Sequence, residues 1–253
     1  MKKSVKRLFE PISRRVAHSL LYSGRERYCP VCEKHSRLFK PIGVNQRPDA
    51  QFPFCGALER HRLLWVYLHT KTDLLKQAVN GTMLHVAPEA ILESKFRPLL
   101  GSHYLTADYL DPDADVKMDI TDIHYPDQSF AAIYCSHVLE HVPDDRRAMR
   151  EFHRVLKKGG WAILLVPITA DKTFEDPTIV DPKERLRLFG QKDHVRRYGP
   201  DYQERLEQAG FHVERIRATD LLSPSELKTM GIKDTAGDLY ICRHANEKAK
   251  LAS

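Results

Sequence analysis

From Gly81 onward, short apolar runs alternate with stretches whose apolar residues recur at helical spacing. The runs predict strands at Met83–Val86, Tyr104–Ala107, Val116–Asp119, Ala131–Cys135, Trp161–Val166, Phe211–Ile216 and Asp238–Cys242. Helices are expected at about Glu89–Leu100, Asp144–Leu156 and Pro200–Ala209. This alternation argues for an α/β fold, a parallel sheet with crossover helices. Upstream, Leu58, Leu63, Leu64, Tyr67, Leu68 and Leu75 predict a helix that ends near Asn80-Gly81. The stretch from Ile168 to Gly199 is too long for an ordinary connection and is expected to be functional. Near the start, Pro11 and Gly24 bracket Ile12, Val16 and Leu20, with Arg14, Arg15 and His18 between them. Such a basic amphipathic helix suits an anionic membrane surface or a cover over its own protein.

Charge changes that picture in one place. The net charge is +6, and residues 1–27 carry eight Lys/Arg against Glu10 and Glu26, which accounts for all of it. The rest of the chain is formally neutral, so the pI is no argument for nucleic acid, and aromatic residues do not interleave with basic ones. With 253 residues, 42% of them hydrophobic, the chain can bury one substantial core and a small appendage. No apolar run is long enough to span a membrane, and the basic start lacks the pattern of a secretory signal. Five cysteines, two in a Cys-x-x-Cys, fit a reducing, cytoplasmic setting better than a disulfide scaffold.

Between Asp119 and Pro167 the motifs are dense. Asp119-Ile120-Thr121-Asp122 leads to Asp127-Gln128-Ser129-Phe130. Ser136-His137-Val138-Leu139-Glu140-His141-Val142 follows, then Glu151-Phe152-His153-Arg154-Val155-Leu156-Lys157-Lys158-Gly159-Gly160. This series resembles the middle of class I S-adenosylmethionine-dependent methyltransferases, of the type 11-like kind. The resemblance implies a seven-stranded, doubly wound (Rossmann-like) sheet whose last strand is antiparallel, preceded by a small cysteine module. It also implies a cofactor site. Asp108, with Tyr109 beside it, would meet the ribose hydroxyls; Asp119 and Ile120 the adenine; Ser136 and His137 the methionine portion. The first loop departs from the family's glycine-rich pattern: Leu84-His85-Val86-Ala87-Pro88-Glu89 puts His85 at the usual acidic position, and Ala87 and Glu89 at glycines. A subset of the superfamily has a similar loop, in which Val86, Ala87, Pro88 and Glu89 would border the cofactor and Glu89 would take its ammonium group. A nicotinamide-dependent oxidoreductase would need Gly-x-Gly-x-x-Gly after this strand, which is absent.

Cys29-x2-Cys32-x22-Cys55-x5-His61 offers four ligands of the type tetrahedral zinc takes. The same subset carries a zinc ribbon here, with Cys-Pro-x-Cys in its second knuckle. This chain has Phe52-Pro53-Phe54-Cys55 instead. The fourth ligand is therefore His61, His35 or water, or the metal is lost. Cys135 and Cys242 read as buried small hydrophobes.

Methyl transfer is an in-line displacement that needs alignment and, for an oxygen or nitrogen acceptor, a base. His137 and His141 would share a helical face, and His141 with Glu140 reads as structural. Between Ile168 and Gly199, His194 is the first candidate base, oriented by Asp193, with His137 a further catalytic candidate. His194 could instead bind an acidic substrate together with Arg196 and Arg197. The acceptor is expected to be a small molecule or glycan entering between the cysteine module and this stretch; the alternative is an inactive scaffold binding protein or nucleic acid. The expected division is leader 1–27, module 28–61, linking helix 62–80, methyltransferase domain 81–244 and tail 245–253.

Overall fold

The computed structural model describes residues 18–43, 46–233 and 236–245, which form two compact units. One comprises the chain up to Thr72 with residues 218–236; the other comprises residues 73–217 and the chain from Gly237. Most of the expected basic leader lies outside the described residues; residues 18–22 are helical, with Leu20 exposed.

The larger unit carries a seven-stranded sheet. Its strands are β5 (Thr82–Val86), β6 (Tyr104–Asp108), β7 (Val116–Lys117), β8 (Phe130–Ser136), β9 (Leu156–Leu165), β12 (Phe211–Ile216) and β13 (Leu239–His244). The spatial order is β12-β13-β9-β8-β5-β6-β7, and β13 is antiparallel to both of its neighbours. This is the Rossmann-like methyltransferase architecture expected from the sequence. Every residue of β8 is buried, as a central strand covered on both faces requires. The chain leaves β5 for β6 on one side, while β8 lies on the other. A doubly wound sheet opens its ligand crevice beyond the carboxyl ends of such a pair.

Five helices accompany these strands: α2 (Leu74–Ala78), α3 (Ala90–Leu100), α4 (Asp145–Val155), α5 (Pro182–Phe189) and α6 (Tyr202–Gln208). Local sequence sets their ends. Asp144 caps α4 by accepting from the Arg147 amide, and Asp181 caps α5, which has Pro182 at its first position and Gly190 at its end. In the core, the Trp161 indole N–H donates to the Leu74 carbonyl at 3.1 Å, tying α2 to the sheet. Strand β7 stops two residues short of its expected end because Asp119 turns its carboxylate onto Thr121.

The smaller unit holds two hairpins, β1 (Arg27–Cys29) with β2 (Lys34–Ser36) and β3 (Lys40–Ile42) with β4 (Arg47–Gln51), followed by α1 (Glu59–Val66). Strands as short and polar as Lys34–Ser36 and Arg47–Gln51 contain no apolar run by which to be read beforehand. A π-helical turn, Tyr67–Lys71, ends α1. Thr70 and Thr72 donate their hydroxyls to the Val66 and Tyr67 carbonyls, and Thr72 is extended. The expected linking helix 62–80 is therefore broken, and the unit boundary falls at the break.

Residues 218–236, expected inside the methyltransferase domain, group with the smaller unit as α7 (Ala218–Leu221) and α8 (Pro224–Met230). Ser223 and Glu226 cap α8 reciprocally. Gly231 ends it at φ +59°, where a Cβ would stand 2.4 Å from the Phe39 ring. The Gly231 carbonyl accepts from the buried Arg62 guanidinium at 2.9 Å, as do those of Ala50 and Ala57. That guanidinium lies 4.3 Å from the Phe39 ring centre, and its burial lowers its pKa to about 10.

Candidate active site

The crevice begins where β5 ends. Val86 is buried, and Ala87 turns the chain at φ +49°, donating its N–H to the Ala107 carbonyl at 2.8 Å. Pro88 follows, and Glu89 stands at the N-cap of α3, its Oε2 accepting from the Tyr134 hydroxyl at 3.2 Å. His85 does not face the crevice as an acid would. It is fully buried, with Nδ1 2.6 Å from the Tyr104 hydroxyl and its ring against Phe96 and Tyr134.

On the neighbouring strand, Asp108 Oδ1 accepts from the Leu110 and Asp111 amides at 2.7 Å each, which shapes the turn after β6. Tyr109 in that turn is exposed, with the Lys117 ammonium over its ring. Thr121 donates an amide and a hydroxyl to Asp119, which holds the Asp119 carboxyl below its ordinary pKa. Ile120 is buried beside it.

Across the switch point, Ser136 ends β8 with its Oγ buried and no hydrogen-bond partner among the described residues. His137 follows at φ +56°. Thus both strands that flank the crevice lead into a non-glycine residue in the left-handed region. That conformation costs an L-residue on the order of 1 kcal/mol and concentrates at functional turns.

Beyond His137 the structure assembles a cluster whose chain order hides it. Leu139–His141 form a 3-10 turn that brings Glu140 and His141 toward the segment 190–198. Strands β10 (Phe174–Glu175) and β11 (Arg196–Arg197) pair, and a buried ion network anchors them. Arg196 binds Glu175 at 2.8 Å and donates to the carbonyls of Leu139, Val142 and Pro143. Arg205 joins Glu175 at 2.6 Å to Asp145 at 3.0 Å, and the Tyr198 hydroxyl donates to Asp145 at 2.6 Å. Burial raises the Glu175 pKa, but the hydrogen bonds from Arg205 and Arg196 outweigh it and hold the value at about 2.

This network seats His194 against His141, ring centres 4.6 Å apart and edge to face. His194 is 5% exposed, and burial, helped by the His141 ring, lowers its pKa. Its Nδ1 meets the Phe189 carbonyl at 3.3 Å. Asp193 therefore does not orient His194, as the sequence suggested. Its carboxylate lies 3.2 Å from His141 Nδ1 instead. Nor is Arg196 open to an acidic substrate, being buried in the network, while Arg197 donates to Thr169. His137 Nδ1 stands 3.4 Å from Glu140 Oε1. Glu140 and His141, read as structural, belong to the cluster; the signal available was a Glu-His pair directly after an apolar strand.

In the smaller unit, the two knuckles repeat each other. Cys29-Pro30-Val31-Cys32-Glu33 and Phe52-Pro53-Phe54-Cys55-Gly56 each close a hydrogen bond from the fifth amide to the first carbonyl, at 2.8 and 2.9 Å. Each fifth residue has positive φ. The Sγ atoms of Cys29, Cys32 and Cys55 lie within 4.8 Å of one another, with Cys29 and Cys55 3.6 Å apart. Phe52, at the place matching Cys29, is buried between Phe39 and Phe54. His61 does not join them: its Nδ1 accepts the Leu58 amide at 3.2 Å and caps its own helix.

Comparison with known proteins bears on the larger unit. A family model described as a methyltransferase domain matches residues 82–164, the stretch from β5 to β9. Over 106 residues the chain is 29% identical to the chloroplastic 2-methyl-6-phytyl-1,4-hydroquinone methyltransferase 1 of Oryza sativa subsp. japonica. That match covers 40% of this chain and 28% of that protein's length. Among solved structures, an S-adenosylmethionine-dependent methyltransferase from Mesorhizobium loti is similar at 16% identity and a TM-score of 0.47, over 72% of this chain and 98% of that one. A chain of the Haloferax volcanii complex between the Trm112 methyltransferase activator and a methyltransferase is similar at 17% identity and a TM-score of 0.43, over 68% and 88%. No helix among the described residues is long and apolar enough to cross a membrane.

Proposed function

We propose that the larger unit transfers a methyl group from S-adenosylmethionine to an oxygen or nitrogen of a small-molecule or glycan acceptor. The observation that carries this reading is the methyltransferase-domain match across the strands that flank the switch point, residues 82–164. The polar groups of the crevice suit that cofactor. Asp108 keeps one carboxylate oxygen on its own turn, and the other would accept the ribose hydroxyls. Asp119 would accept from the adenine amino group, with Ile120 against the ring. Ser136 Oγ, buried without a partner among the described residues, would hydrogen-bond the methionine portion alongside Glu89. Val86, Ala87 and Pro88 line the approach.

The bound cofactor supplies an electrophilic methyl group on a sulfonium, which a nucleophile attacks in line. The residues of the chain then have to hold and activate the acceptor, and the Glu140–His141–His194 cluster is where we place that task. In the smaller unit, Cys29, Cys32 and Cys55 would supply three zinc ligands, with the fourth position left to a group from outside the cluster.

Calorimetric titration with S-adenosylmethionine tests the central claim. Wild-type protein is expected to bind in the micromolar range. Asp108→Asn, which can still accept the turn amides, should weaken binding about 10- to 100-fold, the worth of charge-assisted hydrogen bonds. A folded wild-type protein that fails to bind would overturn the proposal, leaving a scaffold with the Ala87-Pro88-Glu89 loop as the cause.

A further inference from the structure

We propose that Glu140, His141 and His194 form a binding site for one divalent transition-metal ion. One ligand atom from each lies within 4.8 Å of the others. Two of the three residues are buried, Glu140 to 1% and His194 to 5% exposure. Glu140 Oε2 and His194 Nε2 are both fully enclosed and have no hydrogen-bond partner among the described residues. Leaving a buried acceptor unpaired costs about 1–3 kcal/mol. One such atom on each of the two buried residues of the cluster points to a group that satisfies both.

The other ring nitrogens are held as metal-ligating histidines hold theirs. His141 directs Nδ1 at the Asp193 carboxylate, and His194 directs Nδ1 at the Phe189 carbonyl. A carboxylate or carbonyl on Nδ1 keeps the proton there and leaves the Nε2 lone pair for a cation. Two imidazoles and one carboxylate suit Mn2+, Fe2+, Co2+ or Zn2+ and disfavour Mg2+ and Ca2+, which prefer all-oxygen shells. Ligand bonds of about 2.1 Å place donor atoms roughly 3–3.5 Å apart, so the trio draws together slightly around the ion. Three protein ligands leave positions open for water or for an acceptor oxygen. That last role rests on the methyltransferase reading; binding of the ion does not.

Mn2+ is the probe of choice, because its preference for carboxylate and imidazole keeps it off the three thiols of the smaller unit. The full chain, stripped with a chelator and free of S-adenosylmethionine, is titrated with MnCl2 while electron paramagnetic resonance follows the signal of free aqueous Mn2+. The expected result is one ion per chain, with affinity about 100-fold weaker in His194→Ala and in Glu140→Gln. Asp193→Asn, which acts only through His141, should lose about 10-fold. Each variant's melting temperature without metal shows that it is folded, and Mn2+ should raise the melting temperature of the wild type more than that of any variant. Absence of Mn2+ binding by folded wild-type protein would overturn the site, and so would binding that Glu140→Gln and His194→Ala leave unchanged. Neither result would touch the cofactor titration.

Discussion

The chain builds two three-residue clusters by opposite routes. Cys29, Cys32 and Cys55 are brought together by two short knuckles, each closed by its own backbone hydrogen bond and left-handed residue. Their geometry is local, and the buried Arg62 guanidinium fastens the second knuckle to the rest of its unit. Glu140, His141 and His194 come from a turn after β8 and from a distant segment, and a network of charges joins the two. A cluster written in local spacing can be found by counting residues. One assembled by long-range ion pairs cannot, because the side chains that position it are not those that form it.

The sharpest way to break the comparison is to remove the organising arginine of each cluster. Arg196→Ala strips Glu175 of one partner and removes a donor from three carbonyls. A loss of about 3–5 kcal/mol is expected from breaking a buried ion network. Arg62→Ala should cost a similar amount in the smaller unit, where the guanidinium serves the carbonyls of Ala50, Ala57 and Gly231. Denaturant unfolding measures both. Hydrogen exchange should place the first loss in residues 168–199 and the second in the knuckles; a loss spread evenly over both units would refute the assignment of each arginine to its own cluster.

Next in size is the repair of the second knuckle. Phe52→Cys places a fourth thiol where the pseudo-repeat puts one, and should tighten Zn2+ binding about 10- to 100-fold in a chelator competition. Without metal the same change should destabilise by about 3 kcal/mol, since Phe52 is fully buried against Phe39 and Phe54. Unchanged zinc affinity would mean that the two knuckles do not face one site.

The smallest effect expected is on acid stability. The Glu175 carboxyl is held at about 2, below its ordinary 4.5, so the folded state loses this stabilisation as pH falls from about 4.5 toward 2. Because the side chain is 37% exposed, screening limits the effect to about 1 kcal/mol. Glu175→Gln should flatten the pH dependence of unfolding in that window; an unaltered profile would remove Glu175 from the network's energetics.

Much of the larger unit was legible beforehand. The expected starts of the central strands lie within one residue of β5, β6 and β8, because buried parallel strands are written as nearly unbroken apolar runs. The Phe211–Ile216 strand agrees at both ends. Strands β1 to β4, β10 and β11 escaped, since they are short and lack the apolar run that marks β5 and β8. At the candidate site, Asp108, Asp119 and Ser136 were singled out by the resemblance to class I methyltransferases; Asp108 and Ser136 end β6 and β8, and Asp119 lies two residues beyond β7. The partner of Asp193 did not follow, since a residue next in sequence to His194 proved to serve His141. His61, one of the fourth ligands the sequence offered, directs Nδ1 to the Leu58 amide at the start of its own helix instead.

The sequence by itself determined the order of the principal strands and helices of the larger unit and the spacing of the cysteine knuckles. Those features rest on apolar periodicity and short-range backbone preference, which neighbouring residues settle among themselves. Tertiary structure alone decided which charges of residues 168–205 are buried, that residues 218–236 join the smaller unit, and that His194 meets His141 and Glu140. Arginines and carboxylates are interchangeable as partners until packing brings a particular pair together in a dry interior. Only then does the desolvation cost select one pairing over the others.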